Sequence, residues 1–334
     1  MAMESKLRLV RTRPLTVLAM LFSLLFLVLY HSGQTQLPNV SHIGSKISSR
    51  LASQTASRLS RSEILYQRHV AARKEYLFSR SGYRENYNPW RLMNDHIGWW
   101  WYFQPAFNCP WEVERIGKFS RGGLWTCGPS LYESLQTQQK QSKPCVVYTM
   151  VKDTSTFSFE LDLIERAGCE VWVYAPSLPT KVTSQPELKD NPKFHFVETA
   201  IGKTDRISRD GTPFMTLPTI MKDNGHSWID FLKLDLEGAE YRLLDTWMEH
   251  YDVLPFSQLL AEIHLKDEDG DEVSFSDFRQ WWERVEAAGL RAFWAEQDMS
   301  PESLMEPSSD ARPAPVKFSH YSFLNTRGKH VLLE

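Results

Sequence analysis

The sequence predicts an α/β protein built on an open, mostly parallel sheet, preceded by an aromatic-rich helical segment and a single N-terminal apolar anchor. Three observations predict it. From Pro144 onward, strand-like and helix-like stretches alternate, as crossover-connected parallel strands require. Within that alternation, the apolar strand Phe231–Leu236 ends in two carboxylates, Asp235 and Glu237; Gly238 permits a turn, and Glu240 opens a helix through Leu243, Leu244 and Trp247. Near the N-terminus, Leu15 to Tyr30 is uncharged and apolar and follows Lys6, Arg8, Arg11 and Arg13.

The chain has 334 residues, enough for one large or two modest domains. Its net charge of −3 gives no reason to expect nucleic acid, because duplex binding relies on concentrated basic charge. Residues 1–14 read as a short basic tail and 15–32 as a signal-anchor. The apolar run is long for a signal peptide, and no small-residue cleavage site follows it. It is short for a spanning helix, and Ser32 and Gly33 extend it. The basic flank should stay cytosolic, which makes the chain a single-pass type II membrane protein with a lumenal main domain. The short run fits the thinner endoplasmic reticulum or Golgi bilayer. In that compartment the four cysteines meet an oxidising milieu. Cys109 with Cys127 is the first expected disulfide. Cys145 and Cys169 begin two neighbouring strands and either pair or stay as buried thiols. There is no C-x-x-C pair, so no zinc ligand set is legible. Asn39-Val40-Ser41 is an N-glycan acceptor sequence just past the anchor.

Residues 33–62 are rich in Ser, Gln, Thr and isolated Arg, which predicts a flexible stem. From Glu63 a helical pattern appears through Ile64, Leu65, Val70 and Leu77. An aromatic stretch follows, with Trp90, Trp99, Trp100, Trp101, Tyr102, Phe103, Phe107 and Trp111. Such a cluster can stack sugars, but it more often forms a packing lid. Residues 63–140 are therefore expected as an aromatic-rich subdomain against the main domain, 141–334. In that domain, strands are expected at Cys145–Val151, Glu170–Tyr174, Phe194–Val197, Phe231–Leu236, Gln258–His264, Leu290–Ala295 and Lys317–Leu324. His330–Leu333 is expected to extend the sheet. Helices are expected at Phe157–Ala167, Leu217–Asn224, Tyr241–His250 and Phe275–Ala288, with Gly168, Gly225 and Gly289 closing helices.

The segment "LKLDLEGAEYRLL" resembles the fourth-strand motif of FkbM-type and related methyltransferase-like proteins. The likeness extends over Thr216–Glu240, Leu259–Leu265, Trp281–Glu296 and Tyr321–His330, and upstream over "CGPSLYES" and "PCVVY…SFELDLIERAGCEVWVY". It covers the chain from about Cys109 onward. It implies a Rossmann-like class I methyltransferase sheet with a terminal antiparallel hairpin, and S-adenosyl-L-methionine as cofactor across the ends of the first two strands.

Two positions depart from that pattern. Val151 stands where related proteins place a glycine, and a β-branched residue cannot reach φ > 0 cheaply. Ala175 stands where an acid usually holds the ribose hydroxyls. The residues expected around the cofactor are Met150, Val151, Asp153, Ser158, Glu160, Tyr174 and Asp235, with Ser155 also able to compensate. The catalytic candidates are His264, Asp235 and Glu237, converging with Glu262, with His264 as general base. His226 is expected to cap or pack. The acceptor is expected to be a glycan, lipid or small metabolite hydroxyl.

Two other functions fit the sequence. Asp267–Glu272 has D-x-D spacing and the topology suits a Golgi glycosyltransferase. The missing glycine and acid suit a non-catalytic binding protein on the same scaffold.

Overall fold

The computed structural model describes residues 40–81, 97–119, 122–137, 144–152, 156–177, 185–297 and 318–334. Residues from Ser53 onward pack as one compact unit. Its centre is a seven-stranded sheet. In chain order its strands are β3 (Val146–Val151), β4 (Glu170–Ala175), β5 (Phe194–Glu198), β9 (Ile229–Asp235), β10 (Phe256–His264), β11 (Leu290–Gln297) and β12 (Phe318–Asn325). Across the sheet the order is β11-β12-β10-β9-β3-β4-β5. The run from β5 to β10 is parallel, while β12 lies antiparallel between β10 and β11. This is a Rossmann-like sheet with the expected terminal hairpin. The strand order reverses between β3 and β9, and ligands in open α/β sheets bind outside the carboxyl ends of the strands at such a reversal.

Alternate residues of β3 feed two cores, as the two-residue strand period demands. Val146, Tyr148 and Met150 enter one; Val147 and Val151 enter the other. The first is covered by α6 (Leu217–Asp223), α7 (Glu240–His250) and α8 (Phe275–Ala287), the second by α4 (Ser158–Ala167). Gly168 closes α4 at φ 64°, where its amide reaches back to Ile164. Trp100 on α2 (Ile97–Tyr102) is 1% exposed and packs on Phe278 and Tyr321, so this part of the aromatic stretch is a packing lid. Trp101 is exposed.

The chain before the sheet differs from expectation. Helix α1 runs Val40–Ser81, so residues 40–62 are helical rather than a flexible stem. Its buried positions are Thr55, Ser62, Tyr66, Arg73 and Leu77, which recur at steps of seven and four and so share one face. The inward stripe is partly polar, and its buried arginine is held by an ion pair. Arg73 reaches Glu286 at 2.5 Å, and Arg291 reaches Glu63 at 2.9 Å while its guanidinium lies over the Tyr66 ring. Hydrophobic pattern alone could not register that stripe. Among the described residues no helix is long and apolar enough to cross a membrane. The expected anchor at 15–32, Asn39, Trp90 and residues 153–155 lie outside the described residues.

A hairpin of β1 (Val113–Ile116) and β2 (Leu124–Cys127), followed by α3 (Pro129–Thr137), joins the second core. Gln258 on β10 exchanges two hydrogen bonds with the Cys127 backbone, at 2.8 and 3.0 Å. Disulfides join Cys109 to Cys127 and Cys145 to Cys169. A short helix α5 (Pro186–Lys189) and a small sheet of β6 (Ala200–Ile201), β7 (Arg206–Ile207) and β8 (Pro213–Met215) fill the crossover before α6. His330–Leu333 does not extend the main sheet. It forms a turn whose Leu332 is buried and whose carbonyl accepts from Trp111 Nε1. His226 packs as expected, with Nδ1 2.8 Å from the Tyr148 hydroxyl.

Asp230, near the start of β9, accepts a hydrogen bond from the Val146 amide, and burial pushes its carboxyl up to about 6. A folded value above the unfolded one means stability is greatest in acid and is lost as pH rises through 6. Asp230→Asn keeps an acceptor without the charge. It should raise stability at pH 8 by about 2 kcal/mol, with the gain gone by pH 4. Urea unfolding at both pH values checks this; an equal effect at the two contradicts it.

Candidate functional site at the carboxyl rim of strands β9 and β10

The site is organised by the turn after β9. Val151 and Asp235 are register partners at the ends of β3 and β9, so Asp235 sits at the topological reversal. Glu237 follows with φ 51°, a left-handed conformation that costs a non-glycine residue about 1 kcal/mol or more. Gly238 has φ 106°, and a Cβ there would collide with the Lys266 carbonyl and with Asp267. Glycine is thus required for the loop after β10 to cross this turn.

Glu240 on the first turn of α7 is fully buried. Its Oε2 accepts from the Gly238 amide at 2.8 Å. Its Oε1 accepts from the His264 amide at 2.7 Å and lies 3.0 Å from His264 Nδ1. On the other side of the ring, His264 Nε2 lies 3.1 Å from Glu262 Oε1. Tyr241 donates its hydroxyl to the His264 carbonyl. Burial alone would lower the His264 value, but hydrogen bonds to Glu240 and Glu262 and their negative charge outweigh it, to about 10. Both ring nitrogens face carboxylates, Nδ1 toward Glu240 and Nε2 toward Glu262. A ring clamped between two carboxylates turns neither nitrogen to an acceptor hydroxyl, and so does not suit the general-base role expected of His264.

Asp235 differs. Burial raises its carboxyl, the charge of Glu262 adds to this, and it stands at about 7. Ligand atoms of Asp235, Glu262 and His264 lie within 4.8 Å of one another. The sequence reading assigned no metal ligands here. Periodicity puts Asp235 and Glu262 at strand ends but not the register that brings them together.

Beside this cluster opens a cavity of about 470 Å³, lined by Lys152, Glu237, His264, Phe318 and the loop Leu265–Gly270 with Glu272. Lys152 Nζ and Glu237 Oε2 pair at 2.6 Å, with both side chains more than half exposed. Of the three expected catalytic residues, Glu237 and His264 line the cavity. The loop wall was not legible, since it is a long-range arrangement over Gly238.

The residues expected to hold S-adenosylmethionine do not form a cradle for it among the described residues. Met150 and Val151 are buried in the two cores. Tyr174 is buried, and its hydroxyl accepts from Asn224 at 2.5 Å. Ser158 accepts from the Lys118 amide at 3.1 Å. Glu160 is fully buried, paired with Lys233 at 2.9 Å and accepting from Thr149 at 2.7 Å. Ala175, fully buried, offers no carboxylate at the end of β4. Asp153 and Ser155 lie outside the described residues.

The backbone strain at Glu237 yields a stability test. Asparagine tolerates the left-handed region better than glutamate. Glu237→Asn should raise unfolding stability by about 0.5–1 kcal/mol, because the exposed Lys152 pair contributes less than the strain costs. Denaturant titration measures it; a net loss would show that the conformation carries no strain.

Known proteins share this chain's pattern. A family model described as "Methyltransferase domain" matches residues 63–306. "Probable methyltransferase-like protein 24" of Homo sapiens and of Rattus norvegicus are each 29% identical over 185 residues. The match covers 50% of this chain, 46% of the human protein and 47% of the rat protein. The chain thus spans about half the length of the curated relatives it matches. Among solved structures, the Methanococcus jannaschii fibrillarin pre-rRNA processing protein is 11% identical, covers 64% of this chain and 82% of that chain, and has a TM-score of 0.32. So slight a likeness adds nothing to the strand order above. The family match spans well over half of the chain, and with it the chain belongs to the methyltransferase-domain family.

Proposed function

We propose that the chain directs O-methyl transfer to a hydroxyl of a glycan, lipid or small metabolite. The observation that carries this reading is the cavity on the carboxyl rim of β9 and β10, beside the sheet's topological reversal. Its lining suits a polyhydroxyl ligand. Lys152 supplies donors, the Glu237 carboxylate an acceptor, and Phe318 an apolar face. Glu237 is the carboxylate in this lining best placed to take the acceptor's hydroxyl proton, because it is half exposed and, among the described residues, is paired with an exposed lysine.

The family implies S-adenosylmethionine as methyl source, yet the described residues do not supply its usual contacts. Those same departures favour a second reading, a non-catalytic binding protein on this scaffold. The glycosyltransferase reading is the weakest of the three. Asp267 Oδ1 already accepts from the Asp269 and Asp271 amides, and Glu268 and Asp269 are paired with Arg242. Such commitments leave the D-x-D carboxylates poorly available to a metal.

The proposal includes a membrane anchor at 15–32, a glycan at Asn39 and a lumenal main domain in the endoplasmic reticulum or Golgi. Both cysteine pairs are closed as disulfides, which accords with an oxidising compartment.

Calorimetry of the full chain with S-adenosylmethionine separates the two main readings. The enzyme reading expects saturable heat that Asp235→Ala abolishes. The missing ribose acid should weaken affinity about tenfold to a hundredfold relative to a site that retains it. Absence of heat at millimolar ligand would overturn the methyl-transfer reading and favour the binding protein.

A further inference from the structure

We propose that Asp235, Glu262 and His264 form a divalent-cation site whose natural occupant is Mn²⁺ or an ion of like chemistry. The inference deepens the reading above, since His264 is shared between this cluster and the cavity where the acceptor is placed. Four features point to it.

The first is convergence. One imidazole and two carboxylates, from the ends of two adjacent parallel strands, bring their ligand atoms within 4.8 Å of one another. Such a spacing lets one ion touch all three.

The second is the orientation of the ring. A metal-binding histidine almost always donates its other N–H to a carboxylate, which fixes the tautomer. Here Nδ1 is held 3.0 Å from the fully buried Glu240, which also receives the His264 amide. That leaves Nε2, on the side of Glu262, as the ligand atom, and an ion that binds there displaces its proton. Glu240 is itself fixed by the Gly238 amide, so the ring is set before any ion arrives.

The third is an open valence. Among the described residues the Asp235 carboxylate makes no hydrogen bond and no ion pair within 4 Å, although it is half-buried. Its nearest positive neighbours, Lys233 and His264, are committed to Glu160 and to the two glutamates.

The fourth is charge. Three carboxyl groups, those of Asp235, Glu240 and Glu262, gather around one histidine ring, with His320 Nε2 3.4 Å from Glu262. A buried excess of negative charge is costly unless a cation joins it. Two carboxylates and one imidazole make an oxygen-rich set that suits Mn²⁺ better than softer metals. Three protein ligands leave coordination positions open toward the cavity for water or for an acceptor hydroxyl.

The test uses the full chain, stripped with EDTA, and needs neither methyl donor nor acceptor. Mn²⁺ is titrated while free ion is read by electron paramagnetic resonance, and thermal unfolding is followed in parallel. One site per chain is expected, with a rise in melting temperature. Asp235→Asn and Glu262→Gln should weaken Mn²⁺ by at least tenfold and abolish the rise. Both keep size and shape, and circular dichroism reports whether they fold. Glu240→Gln, which touches the ring but not the ion, should weaken binding by about tenfold. Asp269→Asn and Asp271→Asn should leave it unchanged. Retained affinity in Asp235→Asn and Glu262→Gln, or loss in the two loop variants, would move the ion elsewhere and overturn the site. No binding at millimolar Mn²⁺ would also overturn it. Failure here leaves donor binding untouched, so the two readings fall separately.

Discussion

The buried carboxylate of Glu240 is the constraint on which the rim depends. Its two oxygens accept three N–H groups, from Gly238, from the His264 backbone and from the His264 ring. One side chain therefore fastens the turn after β9 to the last residue of β10. An ionised acceptor with several donors makes strong, short hydrogen bonds, and burial strengthens them. The same tie holds the turn of Glu237 and Gly238 against the end of β10 and places the His264 ring beside Glu240. Without it the Tyr241 hydroxyl would still reach the His264 carbonyl, but no buried carboxylate would hold the ring on its Nδ1 side.

At the neighbouring strand β3 the polar side chains are used differently. Lys233, Thr149 and Glu160 form a buried set on the face toward α4. A buried ion pair is weak evidence for stability, because desolvation offsets much of its Coulomb gain. It does fix β3, β9 and α4 to one another. Glu160 is thereby occupied with structure, on the side of the sheet reversal where the family's cofactor is expected. The scaffold follows the family's pattern, while the rim expected to hold the cofactor departs from it at Val151 and Ala175.

Much of the fold was legible. Strands β3, β4, β9 and β10 are covered on both faces, so they read as apolar runs, and glycines marked several helix ends. Asp235, Glu237 and His264 stood out as polar residues at strand ends. Other parts were hidden for physical reasons. Helix α1 turns Thr55, Ser62 and Arg73 inward, so its early half looked like a polar stem. The small sheet β6–β8 has strands of two or three residues, too short to show alternation. Glu240 looked like a helix-dipole residue. Its true partners are 24 positions away on another strand, and no local pattern reports such a contact. For the same reason the double clamp on His264, which turns both ring nitrogens to carboxylates and unfits the ring as a base, was invisible.

Hydrogen exchange on the full chain tests the tie made by Glu240 most directly. In the native protein the Gly238 and His264 amides should exchange slowly and to a similar degree, because one carboxylate holds both. In Glu240→Gln both should speed up together, while the amides of β4 keep their protection. If the two amides stay protected in the variant, or respond independently of each other, a single carboxylate does not organise this rim and the account of the site fails.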